Sequence, residues 1–300
     1  MSTNGDPSPL LRVGLVGAGP WARFVHAPMF AGHPGTILSA VWARRPGAAQ
    51  SLAAANGTVA VTTLDALFDA CDAVAFAVPP DVQAELAIRA ARAGKPMLLE
   101  KPLALDLAMA ERLTDAIGEA GVTSQLVLTW RYTGAVRAFL AEIAGGPPPI
   151  GGRGQFVSGS ALAGPFATPW RRDFGGLFDL GPHVIDTLDA ALGPVVDVRA
   201  TGSAPRWATL LLEHGSGVSS SVTLSAHSAV EPTRADAEIY TEAGMVDVDA
   251  SNSVGPETIR TIADEFVRTA TGTPHPLDAA RGLHLQRILD RAVKDLGRNR

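Results

Sequence analysis

The sequence is poor in several features, and each shortage excludes a class of protein. Cys71 is the only cysteine among 300 residues, which excludes an intramolecular disulfide and a cysteine-based metal cluster. No apolar run approaches the roughly 20 residues that span a bilayer. The net charge is −5 with no basic block, which argues against nucleic acid as a partner. Residues 1–9 are polar and lack an apolar core, so we expect no signal peptide and a cytoplasmic protein.

Lysine is also scarce, with three residues against 22 arginines. One of them, Lys101, follows the apolar run Met97-Leu98-Leu99 in the segment Glu100-Lys101-Pro102. A lysine ammonium is compact and its pKa shifts on burial, whereas arginine does not release its proton in a protein. We interpret Lys101 as a position that needs a point charge or a transferable proton, with chance retention as the alternative.

The first part of the chain alternates short apolar strands with helices. Strands are predicted at residues 13–16, 37–42, 59–61, 73–78, 97–99 and 124–129. Apolar strands that alternate with helices of this length predict a parallel sheet covered on both faces. Ligands of such sheets bind beyond the carboxyl ends of the strands. The composition, 46% hydrophobic and 18% charged, supports a large core.

The pattern changes after Thr129. A helix is predicted at residues 135–143, and the stretch Gly145–Pro149 breaks regular structure. Further strands are predicted at 195–200, 208–213, 218–227, 235–240 and 245–249, and helices at 258–270 and 277–296. Val222 and Leu224 alternate with small polar residues, which predicts a sheet with one apolar face. We divide the chain into domains at residues 10–127 and 128–300.

A glycine-rich turn follows the first strand directly and opens a helix. Gly17 permits the tight turn, Gly19 lets the backbone approach a pyrophosphate, and Ala22 takes the third position of the dinucleotide fingerprint. Pro20 suits the first helical turn, where free N–H groups face the phosphates. We therefore predict a dinucleotide site at this turn, which also includes Trp21.

Acidic residues are absent between residues 7 and 64. An Asp or Glu at the end of the second strand normally binds the ribose hydroxyls of NAD. Here Ala43 stands at about that position, and Arg44 and Arg45 follow it. Guanidinium groups bind phosphate through paired hydrogen bonds, so the sequence predicts a preference for NADP(H). Solvated loop charges, or an arginine stacked on adenine, are the alternatives.

A second chemical signal lies further along the chain, where Gly175 and Gly176 precede an apolar helix that carries Asp179 and His183. Their spacing puts both side chains on one helix face. A carboxylate and an imidazole together can hold a hydroxyl and take its proton. An amphipathic helix with a satisfied histidine explains the pattern equally well. The other histidines lack paired metal-ligand spacing, so no metal site is predicted; among them, only His26 lies beside the dinucleotide helix.

Four motifs occur in order: the Gly17 turn, Val78-Pro79-Pro80, Glu100-Lys101-Pro102 and Asp179-x-x-x-His183. Together they resemble the glucose–fructose oxidoreductase / inositol dehydrogenase / rhizopine-catabolism (Gfo/Idh/MocA) family of NAD(P)-dependent dehydrogenases. The combination is specific for the family but not for a substrate. The resemblance implies a Rossmann domain followed by an α/β domain with an open, mostly antiparallel sheet. The open face of that sheet is expected to make homodimers or homotetramers.

The resemblance also implies roles for single residues. Lys101 would hydrogen-bond the reacting oxygen and contact the cofactor, His183 would act as general acid/base, and Asp179 would position the substrate. The implied cofactor neighbours are Val78, Pro79, Pro80 and Glu100. Aromatic-plus-arginine motifs of the family fall at Arg131, Tyr132, Trp170 and Arg171, which are predicted to bind substrate; packing or surface roles are the alternatives. The Lys101–Pro102 bond is a candidate for the cis form.

These features predict an NADP(H)-preferring oxidoreductase, with NAD as the alternative cofactor. It would transfer a hydride between nicotinamide and a secondary alcohol or ketone of a sugar, cyclitol or related polyol. Two other functions stay open: an NAD-retaining relative that cleaves glycosides, and a non-catalytic regulator that senses a dinucleotide or sugar. The sequence leaves open whether Lys101 or His183 moves the proton.

Overall fold

The computed structural model describes residues 9–298 and contains two six-stranded sheets. Residues 1–8, on which the expectation about a signal peptide rests, and the last two residues of the predicted second domain lie outside the described part. Within residues 9–298, no helix combines the length and apolarity needed to cross a membrane.

The first sheet is parallel throughout and has the strand order β3-β2-β1-β4-β5-β6. Its strands are β1 Leu11–Val16, β2 Thr36–Trp42, β3 Val59–Ala60, β4 Ala73–Phe76, β5 Met97–Leu99 and β6 Ser124–Leu126. This is the doubly wound order of dinucleotide-binding domains, in which the direction of winding reverses between β1 and β4. Ligands of such folds bind at that reversal.

Helices connect these strands at the predicted places. They are α1 Ala27–Gly32, preceded by a π-helical turn at Ala22–His26, α2 Pro46–Ala55, α3 Leu64–Ala70, α4 Pro80–Arg92 and α5 Leu107–Ala120. Thr63 caps α3 by accepting a hydrogen bond from the Ala66 N–H. Gly121 ends α5 in the left-handed region at φ 63°.

The second sheet has the order β12-β11-β7-β10-β9-β8 and is antiparallel except for the β7–β10 pair. Its strands are β7 Pro149–Val157, β8 Val195–Ser203, β9 Trp207–His214, β10 Ser219–Ser225, β11 Arg234–Thr241 and β12 Gly244–Asp249. The helices of this part are α6 Gly134–Gly145, α7 Pro169–Asp179, α8 Gly181–Leu192, α9 Pro256–Ala270 and α10 Ala279–Arg298. The predicted fold class is confirmed.

One face of the second sheet is covered by helices. Val222 and Leu224 point to α8 and are buried, whereas Ser221 is exposed on the opposite face. The predicted apolar and small polar faces of this strand are therefore confirmed. The other face of the sheet remains open within the described chain.

Strand β7 is the largest departure from the sequence prediction, which placed no strand between residues 146 and 194. The predicted break at Gly145–Pro149 is shorter than expected, because β7 already begins at Pro149. Its glycines are required by packing. A Cβ on Gly154 would lie 2.6 Å from Cγ1 of Val184 on α8. The strand predicted to end at Thr129 ends at Leu126 instead, and a 3₁₀ turn follows at Thr129–Tyr132.

The carboxyl-terminal helices join the two sheets. The Leu126 N–H at the end of β6 donates to the Leu277 carbonyl at 2.6 Å, and the Thr123 hydroxyl donates to the Thr269 carbonyl at 2.6 Å. These contacts fix how the second sheet stands against the first. The domain boundary between residues 127 and 128 stays a prediction.

Candidate active site

A cleft of about 550 Å³ opens at the ends of the strands of the first sheet, next to the part of the chain that forms the second sheet. The predicted cofactor-binding residues that line it are Gly17, Gly19, Pro20, Trp21, Ala43, Arg44, Arg45, Val78, Pro79, Pro80, Glu100 and Lys101. Ala22 is fully buried instead and packs in the core. This agrees with the third fingerprint position, which serves close packing of helix on strand.

Gly17 makes the turn from β1 into the cleft. Its φ is 120°, and a Cβ at this position would lie 2.3 Å from the Ala77 carbonyl oxygen, so only glycine fits. Its N–H donates to the Trp42 carbonyl at 2.8 Å, which ties the turn to the end of β2. Gly19 differs, because a Cβ there would meet open space. Its bare backbone therefore leaves room for a ligand.

Three arginines surround a second cavity of about 590 Å³, which opens beside the cleft at the start of α2. They are Arg44 and Arg45, predicted from the sequence, and Arg23, which was not. Within residues 9–298, none of the three forms an ion pair with a carboxylate. Arg23 lies about one helical turn after the glycine-rich turn. This spacing could have identified it from the sequence as a residue beside the cofactor cleft.

The segment that carries Lys101 is held from behind by Gln83, a fully buried residue of α4 that the sequence analysis missed. Its amide nitrogen donates to the Glu100 carbonyl at 2.7 Å, and its amide oxygen accepts from the Glu100 N–H at 2.8 Å. The Lys101–Pro102 bond is cis. This clamp fixes the backbone of the segment from which Lys101 extends.

The Lys101 side chain extends from the part of the chain that forms the first sheet to the part that forms the second. Its Nζ donates to Asp179 Oδ1 at 2.8 Å and to the Asp179 carbonyl at 2.6 Å. Arg171 donates from Nε to the other carboxylate oxygen at 3.0 Å. Burial raises the pKa of Asp179, but Lys101 and Arg171 more than offset that effect and hold the pKa at about 2. Asp179 is therefore an anion at any physiological pH.

His183 lies beside this ion pair in a dry, aromatic setting. The residue is 6% exposed, and its ring stacks on Trp130 at 6.0 Å between centroids. Among the described residues, the buried Nδ1 of this ring has no hydrogen-bond partner. Burial, and then the charge of Lys101, lowers the pKa of His183 well below its ordinary value, against a smaller opposing effect of Asp179. The imidazole is therefore neutral and able to accept a proton.

The helix that carries His183 is anchored by buried ion pairs. Asp186 on α8 is fully buried and accepts from Arg131 at 3.0 Å and from Arg281 on α10 at 2.6 Å. The sequence predicts that Arg131 binds substrate, whereas in the structure its guanidinium is bonded to Asp186 and holds α8. Tyr132 is also placed elsewhere: it is buried, and its hydroxyl donates to the Leu126 carbonyl at 2.8 Å. The Arg131 contact joins residues 55 positions apart, whereas the Tyr132 contact spans only six positions.

Trp170 and Arg171 do lie at the site. Trp170 lines the cleft rather than the space around Asp179, and the Arg171 guanidinium stacks over its ring at 4.7 Å. Arg171 also lines a smaller cavity of about 280 Å³, the inner pocket, which contains Lys101, Asp179 and His183. Hydroxyl groups that the sequence analysis missed form much of its wall: Ser158, Ser160, Thr233, Ser251 and Ser253.

The sequence predicts Asp179 and His183 on one face of a single helix. In the structure the two residues lie on either side of a junction between two helices. Asp179 ends α7 and His183 lies in the first turn of α8. The junction depends on Gly175, whose φ of 55° and ψ of −148° interrupt α7. The four-residue spacing still brings both side chains to Lys101.

The site thus combines an anchored ammonium, an ionised carboxylate and a neutral imidazole beside a cleft built for a dinucleotide. Groups of this kind can hold a hydroxyl, take its proton and stabilise negative charge on its oxygen. Fold and site together define a protein of the doubly wound, dinucleotide-binding class with a cluster of ionisable side chains between its two sheets.

Comparison with known proteins agrees with this class. Residues 11–127 match the family model described as an oxidoreductase family with an NAD-binding Rossmann fold, and residues 151–247 match the GFO/IDH/MocA carboxyl-terminal domain. The chain belongs to the Gfo/Idh/MocA oxidoreductase family, as the motifs predicted.

Named relatives share parts of the chain. Inositol 2-dehydrogenase of Rhizobium meliloti (strain 1021) is 43% identical over 98 residues, which cover 32% of this chain and 29% of that protein. The dTDP-3,4-didehydro-2,6-dideoxy-alpha-D-glucose 3-reductase of Streptomyces violaceoruber is 31% identical over 201 residues, 63% of this chain and 56% of the relative. The matches thus span about half or less of these relatives' length.

A solved structure extends the likeness to the whole fold. GenD2 from gentamicin A biosynthesis, in complex with NAD, superposes with a TM-score of 0.85 at 21% identity and covers 100% of this chain and 98% of that one. At this identity the likeness concerns the fold alone.

Proposed function

We propose that the protein is an NADP(H)-preferring dehydrogenase that acts on a secondary alcohol or ketone of a sugar, cyclitol or related polyol. The observation that carries the proposal is the ion pair of Lys101 with Asp179 at 2.8 Å, formed across the two halves of the chain beside a buried, neutral His183. A purely structural ion pair does not need a titratable imidazole and a hydroxyl-lined pocket next to it.

The residues of the cleft fit a dinucleotide. Gly19 leaves open space for a pyrophosphate, and Val78, Pro79 and Pro80 border the cleft beside the glycine-rich turn. When bound, the cofactor supplies the hydride acceptor or donor. The chain's own residues supply orientation, charge and proton transfer.

In the direction of alcohol oxidation, Lys101 donates a hydrogen bond to the substrate hydroxyl and stabilises the negative charge that develops on its oxygen. His183 accepts the hydroxyl proton, because its ring is neutral at the working pH. Asp179 keeps Lys101 in position through hydrogen bonds to its carboxylate and its carbonyl. In the reverse direction the same groups return the proton to a carbonyl oxygen.

The preference for NADP(H) is supported by the arginines beside the cleft. Arg23, Arg44 and Arg45 converge on one cavity without a carboxylate partner in the described chain, so their charge is available to a phosphate. Ala43 stands where a ribose-binding acid would repel that phosphate. The family model describes NAD binding, which keeps NAD as the alternative cofactor.

The polyol substrate is supported by the inner pocket and by relatives. Hydroxyl side chains on its wall match the hydroxyls of a sugar or cyclitol, and a volume of about 280 Å³ suits a small molecule. The named relatives include an inositol dehydrogenase and a reductase of a dideoxy sugar nucleotide. We also propose that a second copy of the chain covers the open face of the second sheet, giving a dimer or tetramer.

A panel of free sugars, cyclitols and sugar nucleotides, assayed with NADP⁺ and NAD⁺ for the near-ultraviolet absorbance of reduced nicotinamide, tests this function. We expect net reduction of the cofactor in proportion to product, with the higher kcat/KM for NADP⁺. Product formation without net cofactor consumption would favour the NAD-retaining alternative. Tight dinucleotide binding with no turnover on any member of the panel would favour a regulator.

A further inference from the structure

Trp21 and His26 meet because the helix that follows the glycine-rich turn is locally widened. Trp21 Nε1 lies 3.0 Å from His26 Nε2. Side chains five residues apart on an α-helix are rotated by about 140° and diverge. Here the segment Ala22–His26 is a π-helical turn, in which the Ala27 N–H donates to the Ala22 carbonyl, and the wider turn brings the two rings together. Such turns often occur at functional sites.

The same imidazole nitrogen also contacts Glu100, whose Oε1 lies 2.9 Å from His26 Nε2. An indole N–H can only donate, and an ionised carboxylate can only accept. One imidazole nitrogen either donates or accepts, so it cannot satisfy both neighbours at once. One of the two contacts is therefore not a working hydrogen bond.

The other ring nitrogen decides which contact is real. His26 Nδ1 is buried and has no hydrogen-bond partner among the described residues. A proton on Nδ1 would bury an unsatisfied donor and turn the Nε2 lone pair toward the Glu100 carboxylate. A proton on Nε2 instead makes a charge-assisted bond to Glu100 and leaves only an acceptor unpaired. The ring therefore carries its proton on Nε2.

Protonation of Glu100 does not remove the conflict. Its O–H and the Trp21 N–H would then compete for a single lone pair on Nε2, while the Nδ1 N–H would remain buried without a partner. The arrangement with an ionised Glu100 and a proton on Nε2 satisfies the most groups.

This assignment leaves the Trp21 N–H without an acceptor in a residue that borders ligand space. Trp21 and Glu100 line both the cleft and the inner pocket. The indole is held by edge-to-face packing on Phe166, with 5.8 Å between ring centroids. The Trp21 side chain therefore stands at the junction of the two cavities.

We propose that the Trp21 indole N–H is a ligand-binding donor at this junction, left free by the hydrogen bond between His26 and Glu100. Its acceptor is an uncharged oxygen, supplied either by the carboxamide of a nicotinamide or by a hydroxyl or carbonyl of a polyol. The inference rests on the proposed function, because it takes both cavities as ligand sites.

The first test needs no ligand. Long-range ¹H–¹⁵N spectra of protein labelled at histidine report which ring nitrogen carries the proton, and the His26→Gln variant identifies the His26 signals by their loss. We expect a neutral ring protonated at Nε2. A ring protonated at Nδ1 with a bare Nε2 would overturn the inference, because the Trp21 N–H would then be consumed by His26.

The second test follows the five tryptophan indole N–H signals of ¹⁵N-labelled protein. One sample receives NADPH, and another receives NADPH with myo-inositol, an unreactive pair because the dinucleotide is reduced and the cyclitol has no carbonyl group. The Trp21→Phe variant identifies the signal and retains packing on Phe166. Trp207→Phe, on the outer face of the second sheet, is the matched control.

A downfield shift of the Trp21 signal with NADPH alone identifies the carboxamide oxygen as acceptor, and a shift that requires the polyol identifies a polyol oxygen. Trp42 and Trp170 line the cleft and report dinucleotide binding. If their signals move while Trp21 stays in place in both samples, the inference is wrong and the proposed function survives. If no cleft signal moves, the proposed function fails and takes the inference with it.

Discussion

At the scale of single residues, the site places a cation, an anion and a neutral imidazole close together. Lys101 donates a hydrogen bond to Asp179, and Asp179 is kept ionised by Lys101 and Arg171. His183 is kept neutral by burial and by the charge of Lys101. In the proposed reaction, the ammonium would stabilise an oxygen anion and the imidazole would take a proton. Both groups are in place before substrate binds, which is how electrostatic preorganisation lowers a barrier.

The pKa of His183 leads to a prediction for the pH profile. A histidine acts as a base only in its neutral form, and that form predominates at any pH above the pKa of His183 in the folded protein. Because that pKa is below the ordinary value of about 6.5, kcat/KM for alcohol oxidation should hold level as the pH falls to about 6.5 and decline only below it. An acidic limb centred above that value would contradict the assignment, as would an unchanged limb in His183→Asn.

The arginines beside the cleft give a second prediction at this scale. Arg44→Ala and Arg45→Ala should each weaken NADPH binding by roughly tenfold or more, since a hydrogen bond to a charged group contributes about 1.5–3 kcal/mol. NADH binding should change little. Isothermal titration with both cofactors measures the difference, and Arg92→Ala at the end of α4, outside the cleft, is the control. Equal losses for both cofactors would indicate a general packing role.

Some of these residues could be predicted from the sequence and others could not. Lys101, Asp179 and His183 each stand in a local motif, and the fold brings them together. Gln83 and the hydroxyl-bearing residues of the inner pocket stand in no motif. Arg131 stood in a motif, but its partner Asp186 is 55 positions away and fully buried, so only the tertiary structure reveals that it anchors α8.

At the scale of elements, β7 shows why a strand can be invisible in sequence. Its glycines and its initial proline disfavour a strand on local propensity. The glycines are there because α8 packs closely on the sheet: a Cβ on Gly154 would lie 2.6 Å from Val184, and one on Gly152 would lie 3.1 Å from Leu192, both on α8. The alternating apolar strands β9 to β11 carried the usual signal and were predicted within a few residues.

The junction of α7 and α8 yields a prediction for stability. Gly175 has a positive φ, and a Cβ there would lie 2.1 Å from the Pro205 carbonyl oxygen. Gly175→Ala should therefore lower the free energy of unfolding by about 3 kcal/mol, through backbone strain and a clash that no side chain can relieve. Urea denaturation followed by circular dichroism measures it.

Gly118→Ala is the matched control, because Gly118 lies within α5 and a Cβ there meets nothing within 4 Å. This change should raise the free energy of unfolding by about 0.5–1 kcal/mol. If Gly175→Ala were as well tolerated as Gly118→Ala, the junction would not depend on the glycine, and the positioning of Asp179 and His183 would need another explanation.

At the scale of the whole molecule, the open face of the second sheet is where a second copy is expected. Leu211 and Trp207 on β9 are 47% and 48% exposed there, beside small polar side chains of β10. Leu211→Glu should convert an oligomer to a monomer, measured by light scattering coupled to size-exclusion chromatography. Leu162→Glu, equally exposed at 48% but in a loop outside the sheet, should not. A wild-type monomer at micromolar concentration would contradict the proposal.

The two halves of the chain make one site because neither holds the complete set of groups. The first provides the cleft and Lys101, the second provides Asp179, His183 and the hydroxyl wall, and α9 and α10 hold the halves together. Loss of Lys101 should therefore remove chemistry without removing cofactor binding, since the cleft is built mainly by the first sheet's loops.

The most direct measurement compares Lys101→Ala with wild type and with Lys294→Ala, an exposed lysine of α10, in cofactor reduction by the best polyol of the panel and in NADPH binding. Turnover should fall by about 10²–10³-fold in Lys101→Ala alone, with the dissociation constant of NADPH changed by only a few-fold. Turnover near the wild-type rate in Lys101→Ala would contradict the account.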